Sequence, residues 1–162
     1  MRKKMKQMWV GVFVIAFCSM SPSLAYPGDL AIIVSKENLT NEISFQDLVK
    51  IFKQERQYWD EGRKIYLIMP ETGNPEKAAV LRKIYKMEDQ ELKKFWIGKL
   101  FRQEISSFPK TLSSNESIKR FVNQVPNAIG IIDQAAVDNR VKVLRIDGKL
   151  PGESGYALSE SP

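Results

Sequence analysis

"IMPETGNPEKAAVL", residues 68–81, reads as a strand that runs into a turn and then into a helix. Ile68 and Met69 close an apolar run, Thr72-Gly73-Asn74 turn the chain, and Pro75 opens a helix. Proline costs nothing at the first helical position, and Asn is favoured just before it. The first amides of a helix lack partners within it, and the helix dipole adds about half a positive charge there. The stretch therefore predicts a strand-to-helix crossover and, at the same place, a candidate anion site. Thr72 and Asn74 offer hydroxyl and amide donors, Gly73 allows close approach, and Lys77 supplies a charge.

Strands and helices alternate on both sides of this stretch. "LAIIVSK", 30–36, is a short β-branched apolar run and predicts a buried strand. In "ISFQDLVKIF", 43–52, Ser44 caps a helix with Asp47 three residues on, Ile43 and Leu48 stand at staple positions, and Phe45, Leu48, Val49 and Phe52 form one buried face. "KQERQYWDEGRK", 53–64, is a polar connection in which Trp59 reads as a plug at the edge of the core. "IYLIM", 65–69, is the second strand. After Pro75, Ala78, Leu81 and Tyr85 line one helical face, with Val80 and Ile84 beside them. "DQELKKFWIGKLF", 89–101, carries a stripe of Leu92, Phe95, Trp96 and Leu100, read as core. Ser114 caps a helix through Ile118, Phe121, Val122 and Val125, which Pro126 stops. "AIGII", 128–132, is a strand whose Gly130 predicts close approach of another backbone, and "VKVLRI", 141–146, alternates as an edge strand does. This order predicts a three-layer α/β fold: a mixed, largely parallel sheet flanked by helices.

The first 25 residues have the pattern of an export signal. "MRKKMKQ" is basic, "MWVGVFVIAFCSM" is apolar, and Ser23 and Ala25 are the small residues a signal peptidase requires. The apolar run of about 13 residues is short of the roughly 20 that cross a bilayer, so cleavage near Ala25 is expected over a retained anchor. A lipoprotein site at Cys18 is disfavoured because Phe17 stands where a small residue belongs. Residues 26–147 are then one lobe-sized domain, and "GKLPGESGYALSESP", 148–162, reads as a loose tail.

The leader distorts the bulk charge. The formal net charge is +6, but Arg2, Lys3, Lys4 and Lys6 lie in the leader. The remaining 21 basic residues face 19 acidic ones, a balance that carries no nucleic-acid footprint. The single cysteine, Cys18, leaves with the leader, so neither disulfide, thiol chemistry nor a Cys metal site is expected. There is no histidine, which removes the commonest general base and metal ligand. Phosphate-cradling Gly-rich loops are absent, and the pairs Asp60-Glu61 and Glu88-Asp89 sit in polar segments. The expectation is a non-enzyme with no cofactor, no metal and no catalytic residue.

Five segments, taken in order, resemble the phosphate-type periplasmic substrate-binding proteins of ABC transporters. These are the strand of "LAIIVSKEN", then "LVKIF" in the place of L-x-x-I-F, and the Trp loop with "IYLI" as I-x-x-I. Phe95, Trp96, Leu100, Phe101 and Pro109 follow, and then "FVNQVPNAIGII". The resemblance covers about residues 30–147 and implies one lobe of a type II periplasmic binding protein, where the family has two. It also implies ligand binding at Thr72, Gly73, Asn74 and Lys77. One departure bears on the ligand. Where the family places an Arg and a G-S-G-T turn, this chain has "PETGNPEK", with Glu71 and Glu76 beside the turn. A carboxylate about 7 Å from a bound anion costs roughly 1 kcal/mol, against the ~0.3–1 kcal/mol of an exposed helix terminus. Weak binding of a small anion or solute is therefore expected over tight phosphate binding, and a capped helix with no ligand over either. Two other readings stay open at this stage. One is a lobe kept as a scaffold for an envelope or membrane protein partner; the other is a homodimer that rebuilds a cleft between two lobes.

Overall fold

A computed structural model describes residues 28–160. The leader of residues 1–25 lies outside the described residues. Five strands form the main sheet: β1 (Leu30–Ser35), β3 (Tyr66–Pro70), β4 (Lys110–Leu112), β5 (Ala128–Asp133) and β6 (Val141–Val143), in the order β4-β3-β5-β1-β6. β3 pairs in parallel with both β4 and β5, whereas β1 is antiparallel to both β5 and β6. Four of the five strands thus share one direction, and β1 alone runs against them. Two short strands, β2 (Glu42–Ile43) and β7 (Arg145–Ile146), pair in parallel as a separate ribbon. The 141–146 run is therefore an edge strand only as far as Val143, after which the chain crosses to the ribbon at Leu144.

Alternation along the strands feeds two cores. Leu30, Ile32, Val34, Leu67, Met69, Ile129 and Ile131 face one layer. That layer is built from α1 (Phe45–Phe52), α2 (Pro75–Val80) with the π-helical turn Leu81–Tyr85 that continues it, and α3 (Asp89–Phe101). Ala31, Ile33, Ile68, Ala128 and Ile132 face the other layer, where α4 (Asn115–Gln124) supplies Ile118 and Val122. Side chains of opposite parity on a strand point to opposite faces, so a sheet apolar at every position must be covered twice.

Local signals explain most of the elements. The Ser44 hydroxyl accepts from the Asp47 amide at 3.0 Å and fixes the start of α1. Asp47 does not close a reciprocal box; its carboxylate pairs with Lys50 and Arg56 instead. Ser114 and Ser117 cap α4 reciprocally. Trp59 is buried, and its indole donates to the Asn127 carbonyl at 3.1 Å, as a core plug should.

Four expectations need correction. On the 75–85 helix Ala78 is exposed and Ala79 takes its place beside Val80, Leu81, Ile84 and Tyr85, where the π turn after Val80 shifts the register. Leu100 stands on the exposed side of α3. At Gly130 it is side chains that come close: a Cβ there would lie 2.7 Å from Ile118 Cγ2 and 3.0 Å from Val122 Cγ2. Finally, the tail is packed over 148–160. Leu158 and Tyr156 are buried in the three-helix core, the Leu30 amide donates to the Leu158 carbonyl, and the Tyr156 hydroxyl donates to the Leu30 carbonyl. Asp29 adds acceptors for the Gly152 amide and the Ser159 hydroxyl.

Gly130→Ala is expected to destabilise the protein by about 1–3 kcal/mol, because α4 must lift off the sheet. Leu158→Ala is expected to cost ~2–4 kcal/mol, the range for a buried leucine rather than for a residue in a solvated tail. Urea unfolding of each variant measures both; a loss under about 0.5 kcal/mol for Leu158→Ala would show that the tail is not part of the core.

Candidate functional site

β3 and β4 are parallel neighbours, so Pro70 and Leu112 end side by side. Beyond them the chain turns twice and enters α2 and α4, and the two turns are tied together. The Glu71 amide donates to the Leu112 carbonyl at 3.1 Å, and the Asn74 side chain donates to the Ser113 carbonyl at 3.2 Å. The Asn115 side chain donates to Glu76 Oε1 at 2.7 Å, which is how Glu76 stays buried. Asn74 occupies the N-cap position of α2, but its side chain makes no capping bond; it is spent on Ser113. Gly73 has φ +98° with nothing within 4 Å of the place a Cβ would take, so the turn needs glycine for its backbone angle.

The start of α3 lies against this turn. The Glu88 amide donates to Glu91 Oε2 at 2.9 Å, and the Thr72 hydroxyl donates to Asp89 Oδ1 at 3.3 Å. Between them opens a shallow cleft of about 260 Å³. Its polar side is Thr72, Lys77, Asp89 and Lys93, and its apolar side is Leu92, Trp96 and Phe108. Trp96 is a fixed wall: it makes edge contacts with Tyr85, at 6.1 Å between ring centroids, and with Phe95, at 5.0 Å. Tyr85 is itself anchored by donating to the Phe52 carbonyl at 2.6 Å.

Lys77 is the unusual member. Only 7% of it is exposed, yet among the described residues its ammonium makes no hydrogen bond and no ion pair within 4 Å. Burial pushes its pKa below the usual lysine range, and the attraction of Asp89 offsets this only in part. Of the four residues read from the sequence, Thr72 and Lys77 line the cleft, while Gly73 and Asn74 shape the turn beneath it. The sequence reading missed Asp89, Leu92, Lys93, Trp96 and Phe108. The available signal was the aromatic pair on α3, which was taken for core alone; Trp96 both packs in the core and walls the cleft.

In two other cavities some of the polar groups are engaged within the protein. A larger polar cleft of about 730 Å³ is lined by Asp29, Lys83 and the tail, but Asp29 holds Gly152 and Ser159 and Lys83 donates to the Ser159 carbonyl. A cavity of about 180 Å³ borders Tyr66 and the loop before β4, where Gln57 already donates to the Gln54 and Glu104 carbonyls. The one Ser-x-x-Lys spacing in the sequence, Ser107 to Lys110, makes no nucleophile–base pair, since the Lys110 ammonium stands over the Phe121 ring at 5.5 Å. Among the described residues no cluster of Asp and Glu could hold a metal ion, and no helix is long and apolar enough to cross a membrane.

Lys77→Met should raise stability by about 1 kcal/mol at neutral pH, a few degrees in Tm, because it removes an uncompensated buried charge and keeps the volume. The sign with pH follows from the lowered pKa. Below it, Lys77 is charged in both folded and unfolded chains and the penalty is complete. As pH rises toward the ordinary 10.5, the folded form sheds its proton first and the penalty fades. The advantage of Lys77→Met over the parent should therefore shrink on the alkaline side; thermal melts from pH 7 to 10.5 measure it.

No family model matches the sequence, and no curated protein matches it significantly. Solved structures do match. An ABC-type phosphate transport receptor from Vibrio cholerae superposes with a TM-score of 0.66 at 20% identity, over 81% of this chain and 53% of its own. PstS from Borrelia burgdorferi gives 0.62 at 18% identity, over 80% and 53%. A putative phosphate ABC transporter substrate-binding protein from Clostridium perfringens, solved with bound phosphate, gives 0.60 at 20% identity, over 74% and 45%. The chain spans about half the length of the structures it matches. With its three layers, its one reversed strand and its half-length coverage, the chain has the fold of a single lobe of the phosphate-type substrate-binding proteins.

Proposed function

We propose that the protein is an exported, non-catalytic recognition domain that binds a small solute weakly in the cleft between Thr72, Lys77 and Trp96. One observation carries this reading: Lys77, only 7% exposed as a residue, lines the cleft, and among the described residues its ammonium makes no hydrogen bond. An ammonium with no partner in the protein, at the end of a mostly buried side chain, has its three donors free for a molecule in the cleft. Likeness to transport receptors supports solute recognition, and the basic-then-apolar leader supports export, with cleavage near Ala25 and a periplasmic or secreted destination. Gly73 and Asn74 contribute by holding the turn, and Thr72 and Lys77 by facing the solute.

Tight phosphate binding is not the expected mode. The Thr72 hydroxyl is engaged by Asp89, the Asn74 amide by Ser113, and the cleft contains a carboxylate where a dianion would have to sit. Inorganic phosphate at millimolar levels should shift Tm by at most a few degrees. A panel of sugars, amino acids, small carboxylates, phosphate and sulfate should contain at least one class whose shift grows with concentration as mass action requires and disappears in Lys77→Met. A flat response across the panel refutes solute binding.

A second reading has its own observation. Ile97, Leu100 and Phe101 stand exposed on α3, Phe101 at 88%, and Phe108 at 51% continues the apolar surface beside the cleft. Such a surface suits an envelope protein partner or a second copy of the chain. Sedimentation of the protein at tens of micromolar separates these: the self-paired form predicts a dimer that Phe101→Ser dissolves, and a monomer excludes it.

A further inference from the structure

We propose that the cleft takes a monocarboxylate with a small apolar body, its carboxylate on the Lys77 ammonium and its body against Trp96, Leu92 and Phe108. This rests on the reading that the cleft is a solute site, and adds the chemical class.

Three observations converge on that class. The first is the donor. Lys77 is buried to 7% exposure with its hydrogen-bonding capacity unused among the described residues, which suits an acceptor that also carries negative charge. The second is the charge count. Lys77, Lys93 and Asp89 are the charged residues lining the cleft, and together they leave one positive charge. One negative charge neutralises the site; a second would meet Asp89, which is held in place by the Thr72 hydroxyl. The third is the wall. Trp96 is locked by its edge contacts with Tyr85 and Phe95, Leu92 is buried beside it, and Phe108 covers the rim at 51% exposure. A fixed aromatic wall binds an apolar body without the entropy cost of ordering side chains. A volume near 260 Å³ is below that of pockets for drug-sized ligands and suits a body of roughly ten non-hydrogen atoms. Inorganic phosphate uses the first feature, is opposed by the second and leaves the third idle.

Calorimetric titration of the purified protein tests this with 3-phenylpropionate, 3-phenylpropionamide, acetate, L-phenylalanine and inorganic phosphate at one ionic strength. The acid should bind about tenfold or more tightly than the amide, which lacks the charge, and than acetate, which lacks the body. Lys77→Met should abolish binding of the acid while circular dichroism and Tm show the fold intact, and the exposed position Phe108→Ala should weaken it several-fold. If phosphate or an uncharged solute binds in a Lys77-dependent way and 3-phenylpropionate does not, the carboxylate class is wrong and the solute site stands. L-phenylalanine binding more tightly than the acid overturns the single-charge argument, because Asp89 would then be meeting an ammonium. Binding of the acid that survives Lys77→Met places it elsewhere and overturns the proposal. No binding by any probe or by the wider solute panel removes both the class and the site.

Discussion

The approach of α4 to β5 at Gly130 sets the position of everything at the carboxyl end of the sheet. Without a Cβ at that residue, the methyl groups of Ile118 and Val122 reach the strand backbone and the helix lies directly on the sheet. The first turn of α4 then meets the turn after β3. Asn115 reaches Glu76, and the Ser113 carbonyl receives the Asn74 side chain. The 71–77 turn is therefore suspended between two elements rather than fixed by its own helix alone. Lys77 lines the cleft, while Glu76, its neighbour, is held by Asn115 of α4. A single added methyl, two layers away from the cleft, acts on the same chain of contacts.

Lys77 works against stability. Burial of its side chain lowers its pKa, and the attraction of Asp89 offsets this only in part. A methionine of similar volume is expected to fill the same space without the cost of desolvating a charge. Proteins keep such groups where function requires a charge that water does not screen. The same reasoning explains Thr72. Its hydroxyl restrains Asp89, and a restrained carboxylate across from an ammonium sets an upper limit on the negative charge the cleft accepts.

The layer order was legible because its signals are local and repeated. β-branched runs at 30–36, 65–69 and 128–132 became the inner strands, and serines at 44 and 114 became helix caps with the bonds expected of them. β4 was not legible: three residues, mostly exposed, become a strand only because Ile68–Pro70 offers them an edge. The reversal of β1 is a tertiary choice that no run of residues encodes. The tail misled through composition, since Tyr156 and Leu158 are two apolar anchors in a polar segment and their partner, Leu30, is over 120 residues away. At the cleft, Thr72 and Lys77 were legible from the turn itself. Asp89, Trp96 and Phe108 come from α3 and the loop behind it, and helical spacing alone does not say that a buried tryptophan also has a free edge.

The cleft is shallow and open on one side among the described residues, and that decides which interactions count. Attraction between charges that remain near water is weakened by its high dielectric and by salt. A ligand recognised by charge alone, such as a hydrated inorganic anion, therefore gains little from an open site. Apolar contact is lost only in proportion to the area left uncovered. Lys77 is the exception among the charged residues of the cleft, because most of its side chain is buried and a carboxylate meeting its ammonium is partly shielded from water. An open cleft with one sunken cation and a rigid aromatic wall gains most from a ligand that brings one charge to the bottom and covers the wall with its body. On the proposal of a monocarboxylate, the open side of the cleft thus disfavours a hydrated dianion, which brings charge alone, relative to a ligand that also covers the aromatic wall.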